Sequence, residues 1–248
     1  MQKISVVIVN WNVSAALGRC IKSVQDTKYP HLELIVIDNN SDIKPKNVTI
    51  QNDKNIGFPA AVNQGLKRAT GDFILILNPD ARVPADLFVK SVQFMQDHLD
   101  AGVMGPKLVN LNGTTQGSVF DEPTLFKPTQ KYTPASKVSA AVDAISGACM
   151  FMPKMTLDKV GLFTQEIFMY YEDMDYCRRI RRLGLKVYFN PQITVIHEHG
   201  ASAKQNVQAS DWRSYLWKSS LWYNGPLKQY LMWFIAWSRQ KVRGLFDL

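Results

Sequence analysis

The sequence predicts an α/β protein built on a doubly wound, mostly parallel sheet with helices on both faces. Short apolar runs recur along the first 110 positions, and amphipathic segments that suit helices separate them. Uninterrupted apolar runs are typical of strands that are buried on both faces of a parallel sheet. The 248 residues are enough for one large domain of this class with an appendage.

The predicted elements follow in order along the chain. Strands are expected at residues 4–9, 32–37, 48–50, 73–77, 103–109, 144–152 and 186–196. Helices are expected at residues 14–25 with Ser14 as the N-cap, at 59–69, from Pro84 onward and at 172–184. The stretch 111–141 is polar, with Gly, Pro and Thr scattered through it, and is predicted to be a long loop over the site.

Three polar clusters stand at the predicted carboxyl ends of strands, where a doubly wound sheet forms its ligand crevice. They are Asn10-Trp11-Asn12, Asp38-Asn39-Asn40 and Asn78-Pro79-Asp80. Turn formation is the alternative explanation, because Asn, Asp and Pro all favour turns. The oxygen-rich pair Asn78 and Asp80 suits a hard divalent cation that also binds phosphate oxygens. Neither GxGxxG after the first strand nor a P-loop is present, which excludes dehydrogenases of that type and P-loop kinases.

Two further groups indicate catalysis. The acidic run Glu172-Asp173-Met174-Asp175 follows four bulky apolar residues, whose low-dielectric surface would raise the pKa of a carboxylate and make it a better base. Capping of a helix start is the alternative explanation for these acids. His197 and His199 follow an apolar strand, where one of them would suit a metal site with Asp80. Spacing alone does not choose between the two histidines.

Composition narrows the class of protein further. Cys20, Cys149 and Cys177 are widely spaced and odd in number, so reduced core thiols and a cytosolic location are predicted. The N-terminal segment has neither the apolar length nor the cleavage site of a signal peptide. The longest apolar run near the C-terminus, residues 231–237, is far below the roughly 20 residues that span a bilayer.

Charge and tryptophan are concentrated at the C-terminus. Residues 204–248 contain seven Lys or Arg against two Asp, and therefore supply +5 of the net charge of +8. The same segment contains five of the six tryptophans, Trp212, Trp217, Trp222, Trp233 and Trp237. Basic residues interleaved with tryptophan suit an anionic membrane surface better than single-stranded nucleic acid. No nucleic-acid partner is expected, because an acidic crevice repels phosphate when no metal is bound.

A peripheral membrane anchor is the prediction for this tail. Trp233, Phe234 and Trp237 lie at helical neighbour spacing, and basic residues flank them, namely Lys228, Arg239, Lys241 and Arg243. The alternative is that the tryptophans pack against the catalytic domain or against a second subunit in a homodimer.

Six motifs occur in one order that resembles family 2 glycosyltransferases of the GT-A fold, in the branch that includes bacterial rhamnosyltransferases. The motifs are VVIVNWN at 6–12, IDNNS at 37–41, NIGF at 55–58, LNPD at 77–80, SGACM at 146–150 and YYEDMD at 170–175. The resemblance covers residues 4–202. It implies a GT-A domain at residues 1–204. The tail carries no motif of the family, and its charge and tryptophan content predict a helical, basic, tryptophan-rich extension at 205–248.

The resemblance also implies a role for individual residues. Asp173 resembles the catalytic base, and Asp80 resembles the last carboxylate of the DxD motif, which holds Mg²⁺ or Mn²⁺. His197 matches the histidine of the HxxG element and would be a further metal ligand. Asn78 replaces the first Asp of DxD, as is common in this branch. Contacts with the nucleotide-sugar donor are implied for Asn10, Asn12, Asp38, Asn55, Gly57, Asn78 and Gly147.

The implied activity is inverting transfer of a sugar, with L-rhamnose from dTDP-L-rhamnose as the favoured donor. The acceptor would be a lipid-linked saccharide of a growing bacterial surface polysaccharide, met at the cytoplasmic face of the cell membrane. Alternatives are the same chemistry with UDP-galactofuranose or UDP-N-acetylglucosamine, and a non-catalytic, membrane-docked module that binds carbohydrate or nucleotide. The presence of both Asp173 and Asp80 argues against the non-catalytic alternative.

Overall fold

A nine-stranded sheet forms the centre of the computed structural model, which describes residues 1–46, 48–127, 129, 131–134, 137–198 and 209–246. Its strands are β1 (Ile4–Asn10), β2 (Leu32–Asp38), β3 (Ile50–Gln51), β4 (Phe73–Leu77), β5 (Ala81–Arg82), β6 (Ala101–Val109), β9 (Ala140–Ala141), β11 (Cys149–Pro153) and β12 (Lys186–His197). The spatial order is β3-β2-β1-β4-β11-β6-β12-β5, and β9 also pairs with β12. A second, three-stranded sheet consists of β7 (Val119–Phe120), β8 (Lys131–Tyr132) and β10 (Ala144–Ile145).

Strand direction changes at the middle of the large sheet. Strands β3, β2, β1 and β4 are mutually parallel, and β6 is parallel to β12. Between these two groups β11 runs antiparallel to both β4 and β6. The start of β11 therefore lies beside the carboxyl end of β4, where the backbone amide of Asn78 donates to the Ala148 carbonyl over 2.9 Å. This reversal brings residues 146–148 to the same edge of the sheet as Asn78 and Asp80.

Helices cover both faces of the large sheet. In the described ranges they are α1 (Ser14–Asp26), α2 (Phe58–Leu66), α3 (Leu87–Asp97), α4 (Lys154–Val160), α5 (Glu172–Arg182), α6 (Ala209–Asn224) and α7 (Pro226–Phe246). Alternate residues of β1 point to opposite faces: Ile4, Val6 and Ile8 pack with α1 and α3, whereas Val7 and Val9 pack with α2, α4 and α5. The predicted doubly wound α/β class is confirmed.

Several local predictions differ from the structure. Residues 111–141 were predicted to be a loop but contain β7, β8 and β9. These strands were missed because strands of two residues leave no periodic pattern to detect in the sequence. The strand predicted at 144–152 divides into β10 and β11 at the turn 146–148, and α4 was not predicted. Ser14 does not cap α1, since its hydroxyl donates to the Ile43 carbonyl instead.

The two C-terminal helices have different surroundings. Helix α6 packs against the body of the chain through Ser219 and Tyr223, which are 3% and 4% exposed. Helix α7 follows after Gly225, whose φ is +76°. Six of its large apolar side chains are exposed: Leu227, Tyr230, Leu231, Trp233, Phe234 and Trp237. The predicted cations Arg239, Lys241 and Arg243 lie outside the side chains that the structure describes. Within the described ranges, neither these helices nor any other is apolar over a length that would cross a bilayer.

Candidate active site

A cleft of about 900 Å³ opens at the carboxyl ends of β1 and β4, beside the start of α5. It gathers seven of the ten residues that the sequence predicted for the site: Asn55, Gly57, Asn78, Asp80, Gly147, Asp173 and His197. The other three, Asn10, Asn12 and Asp38, are not among its lining residues. Their immediate neighbours Trp11 and Asn39 line the cleft instead.

Asn10 and Asp38 form a buried polar brace behind this wall. They are directly opposite each other in the β1–β2 register, and the Asn10 amide donates to the Asp38 carboxylate over 2.7 Å. The same carboxylate accepts from the Ser41 hydroxyl at 2.5 Å and from the Gln51 amide at 2.6 Å. Burial alone raises the pKa of Asp38, but these hydrogen bonds outweigh it and hold the pKa below its ordinary value. Asn12 extends the brace by exchanging two hydrogen bonds with Asp42.

A second polar group shapes the wall beside this brace. The Asn39 amide donates to the side chain of Asn55 at 2.8 Å, and its oxygen accepts from the backbone amide of Ile56 at 3.1 Å. Gly57 has φ +84° and ψ 162°, a backbone conformation that is essentially restricted to glycine. A Cβ atom at Gly57 would stand 2.7 Å from the Phe168 carbonyl oxygen, so the close approach of these two segments also requires glycine.

Asp80 and His197 meet in the cleft. The Asp80 Oδ1 atom lies 3.2 Å from Nε2 of His197, and both side chains are nearly fully buried. Two neighbouring ligands of an octahedral cation with bonds near 2.1 Å stand about 3 Å apart. The pair therefore fits two adjacent positions around a divalent metal. Asn78, whose amide nitrogen is 3.2 Å from the same Nε2 atom, adds a third polar group.

Gln116, which the sequence did not predict, orients His197. Its amide nitrogen donates to the Asn110 side chain and to the His197 carbonyl, so its oxygen is the atom that faces Nδ1 of His197 at 3.0 Å. We therefore assign the ring proton to Nδ1, which leaves the Nε2 lone pair on the side of Asp80. Hydrogen bonds of this kind fix the tautomer of metal-binding histidines. No signal in the sequence separates Gln116 from the other polar residues of its loop.

Asp173 lies on another side of the cleft, at the start of α5. Its Oδ2 atom accepts the backbone amide of Gly147 at 2.9 Å, and its Oδ1 atom accepts that of Met174 at 2.8 Å. Burial raises the pKa of Asp173, while these amides and the charge of Lys131 act in the opposite direction. Gly147 and Asp173 were predicted from separate motifs, and the structure brings them into contact.

Glu172 has a different environment from that of its neighbour. Its Oε2 atom is buried and has no hydrogen-bond partner in the described part of the chain. Burial, together with the charge of Asp173, raises the pKa of Glu172 to about 8. Two backbone amides favour the ionised form of Asp173, whereas the buried Oε2 atom of Glu172 has no such donor in the described part of the chain.

The backbone directly before these two acids is strained. Tyr170 and Tyr171 are consecutive left-handed residues with φ of +71° and +66°, a conformation that is costly for bulky side chains. Contacts on both sides hold it in place. The Phe58 amide of α2 donates to the Phe168 carbonyl, and the Ser219 hydroxyl of α6 donates to the Met169 carbonyl over 2.8 Å.

Helix α6 and strand β8 complete the cleft with residues that the sequence did not assign to it. Trp212 and Leu216, one turn apart on α6, line the cleft, and Tyr215 stacks on Phe168 with ring centroids 4.6 Å apart. Lys131 of β8 also lines it, with Nζ 3.4 Å from the Ser146 hydroxyl. Desolvation lowers the pKa of Lys131, and the nearby charge of Asp173 opposes this effect.

Known structures share this arrangement of a central sheet and its covering helices, which is the GT-A fold. GalNAc-T7, solved with UDP, GalNAc and Mn²⁺, superimposes with a TM-score of 0.64 over 79% of this chain and 44% of its own, at 19% identity. At that identity the likeness concerns the fold alone. Residues 2–211 match the family described as "Glycosyltransferase like family 2". The chain belongs to glycosyltransferase family 2.

Two curated relatives show how far the similarity extends. An O-antigen biosynthesis protein of Myxococcus xanthus is 24% identical over 76% of this chain, which spans only 17% of the length of that protein. An N-acetylglucosaminyl-diphospho-decaprenol L-rhamnosyltransferase of Mycobacterium tuberculosis is 21% identical over 90% of this chain and 87% of its own length.

Proposed function

We propose that the protein is an inverting glycosyltransferase that moves L-rhamnose from dTDP-L-rhamnose to a hydroxyl group of a lipid-linked saccharide. The observation that carries this proposal is the cleft, in which one buried carboxylate, Asp173, shares a cavity with the Asp80–His197 pair. One base and one group that stabilises a leaving diphosphate are sufficient for a single displacement, which inverts the anomeric centre. The name and length coverage of the mycobacterial relative support rhamnose and a diphospho-lipid acceptor.

Asp173 is the proposed general base. Its Oδ2 atom is fixed by the Gly147 amide, and this bond, together with that from the Met174 amide to Oδ1, favours the ionised form of the carboxylate. Asp173 would take the proton of the acceptor hydroxyl as that oxygen attacks the anomeric carbon and the bond to the diphosphate breaks. Positioned bases of this kind typically contribute about 10²–10⁴ in rate.

Asp80 and His197 would hold Mg²⁺ or Mn²⁺, with Asn78 beside them. A divalent cation bound there would neutralise the negative charge that develops on the leaving diphosphate. No group of three or more His, Cys, Asp or Glu side chains in the described ranges could hold a metal ion. The donor's own phosphate oxygens and water would therefore complete the coordination. His199, the alternative ligand, lies outside the described residues.

The nucleotide end of the donor is proposed to lie along Asn55 and Gly57. Direct donor contacts by Asn10, Asn12 and Asp38 remain predictions. The brace that these three residues form supports the two loops that carry Trp11, after β1, and Asn39, after β2, and both residues line the cleft.

Membrane attachment through α7 is the proposed means of reaching a lipid-linked acceptor. Trp233 and Phe234 are 54% and 55% exposed, and Trp237 stacks on Trp233 with ring centroids 6.4 Å apart. An exposed apolar face with tryptophan is typical of helices that lie in the membrane interface. Replacing Trp233 and Phe234 together by serine should weaken vesicle binding at least about tenfold, since each side chain loses its apolar burial.

A matched control for that experiment replaces Ile43 and Leu99 by serine, because these are also exposed apolar residues, at 79% and 86%, outside α7. The fraction of each variant that sediments with vesicles measures its membrane binding. Equal loss in the two variants, or failure of the unmodified chain to bind vesicles, would contradict the proposed attachment.

The transfer reaction is tested by Asp173→Asn. The amide keeps the shape of the side chain but cannot take a proton, so kcat should fall by about 10²–10⁴ while donor affinity stays nearly unchanged. Transfer is measured with dTDP-L-rhamnose and a lipid-linked N-acetylglucosamine acceptor, and donor affinity by titration. Turnover close to that of the unmodified enzyme would refute the role of Asp173.

A further inference from the structure

A second cavity, of about 480 Å³, lies where α5, the end of α6 and the start of α7 meet. Four cationic side chains line it, Arg178, Arg181, Arg182 and Lys228, against a single carboxylate, Glu122. This excess of positive charge makes the cavity attractive to an anion.

Part of this charge is used to hold the fold together. Glu122 accepts hydrogen bonds from Arg178 at 2.5 Å, from Arg181 at 2.6 Å and from the Tyr223 hydroxyl at 2.9 Å. The Arg178 guanidinium also donates to the Tyr223 carbonyl and lies 3.3 Å from the centroid of the Tyr223 ring. Arg178 and Glu122 therefore fix α6 to α5, and they are not available to a ligand.

The remaining groups have unused hydrogen-bonding capacity. The Nε atom of Arg181 and the Oδ1 atom of Asn224 are buried without a hydrogen-bond partner in the described part of the chain. Arg182 forms no ion pair with any residue that the structure describes, and the Lys228 ammonium contacts only the neutral carbonyl of Pro123 among those residues. Phosphate oxygens would satisfy the cationic donors, and a hydroxyl group would satisfy Asn224.

The cavity also lies next to the exposed apolar face of α7. Lys228 stands in the first turn of that helix, between Leu227 and Leu231, which are 75% and 42% exposed. A ligand bound beside Lys228 would therefore lie at the level of the lipid head groups when the apolar face of α7 enters a membrane.

We propose that this cavity binds the phosphate of an anionic phospholipid with a hydroxylated head group, such as phosphatidylglycerol. Arg182 and Lys228 would contact the phosphate, and Asn224 would accept from a head-group hydroxyl. Arg181 would contribute its positive charge beside them while it stays paired with Glu122 and Asp143. The inference rests on the membrane attachment proposed for α7 and is independent of the transfer reaction.

The test measures sedimentation of the full chain with phosphatidylcholine vesicles and with phosphatidylcholine–phosphatidylglycerol vesicles. The double variant Arg182→Ala/Lys228→Ala should lose most of the gain that phosphatidylglycerol gives, about 30-fold if each cation contributes roughly fivefold near an anionic surface. Binding to phosphatidylcholine alone should be unchanged. The matched control Lys67→Ala/Arg68→Ala removes the same charges from exposed positions after α2 and should retain the gain.

Each alternative explanation of the vesicle binding predicts a different result. Equal losses in the two double variants would show a general attraction of positive charge, and would overturn the cavity as a site. Release of the chain from both vesicles by inorganic phosphate at matched ionic strength would show a free-phosphate site instead. Binding to phosphatidylcholine with no gain from phosphatidylglycerol would overturn this inference alone, and binding to neither vesicle would overturn the attachment through α7 as well.

Discussion

Neutralising Glu172 should stabilise the protein at neutral and alkaline pH. This side chain is held beside Asp173, has a buried oxygen without a hydrogen-bond partner, and has a pKa raised to about 8 by burial and by the charge of its neighbour. The substitution Glu172→Gln keeps the shape of the side chain and cannot ionise. The folded protein then no longer bears the cost of holding a proton at Glu172 that the unfolded chain releases.

The sign and size follow from proton linkage. Between the ordinary value of 4.5 and about 8, the folded state binds a proton at Glu172 that the unfolded state has released. The free energy of unfolding of the unmodified protein therefore falls as the pH rises through this window. The variant lacks that slope, so its advantage is absent near pH 4.5 and reaches an upper limit of about 3 kcal/mol at pH 7. That corresponds to roughly 6–12 °C in Tm for a chain of this size.

Thermal unfolding measured at several pH values for both proteins provides the assay. Glu166→Gln is the matched control, because it removes the same charge from an exposed position near the cleft segment. Parallel pH profiles for Glu172→Gln and the unmodified protein would refute the raised pKa. A variant that is less stable at pH 8 would show that Glu172 is ionised and satisfied in the folded state.

Two further predictions concern metal and backbone. Transfer should cease in EDTA and return with Mg²⁺ or Mn²⁺, and full activity in the chelator would exclude the metal role. In a titration of the donor with metal present, Asp80→Ala should weaken donor binding, and His197→Ala should weaken it less. Gly57→Ala should destabilise the fold by about 1–3 kcal/mol and lower donor affinity and kcat together, because its Cβ would displace the Phe168 carbonyl. Gly184→Ala is its control, since it has φ +78° but open space around the new atom, and equal effects on activity would contradict the clash.

The sequence identified the parts of the site that stand on long apolar strands. Strands β1, β2 and β4 were predicted within one or two residues, and their polar ends follow directly from where the apolar runs stop. The orientation of a side chain at such an end was not predictable in the same way. Asn10 and Asp38 occupy the predicted strand ends, but their place in the sheet register makes them hydrogen-bond to each other.

Residues in short elements were missed for a different reason. Gln116 and Lys131 belong to the stretch 111–141, whose strands are only two residues long, so neither periodicity nor length marks them. Their roles depend on partners far along the chain, since Gln116 contacts His197 and Lys131 contacts Ser146. Such contacts are set by tertiary packing, which local sequence patterns do not encode.

Helix α6 differs from α7 in its contacts with the rest of the chain, despite their similar composition. On one side α6 lines the cleft with Trp212 and holds the strained segment before Asp173 through the bond from Ser219 to Met169. At its far end Tyr223 is fixed by Glu122, and the left-handed Gly225 leads directly into α7. A membrane that binds α7 therefore acts on a helix that is joined to one wall of the cleft by buried contacts. Because those contacts also support the segment that carries Asp173, the attachment of α7 would set the orientation of the catalytic cleft relative to the surface on which a lipid-linked acceptor lies.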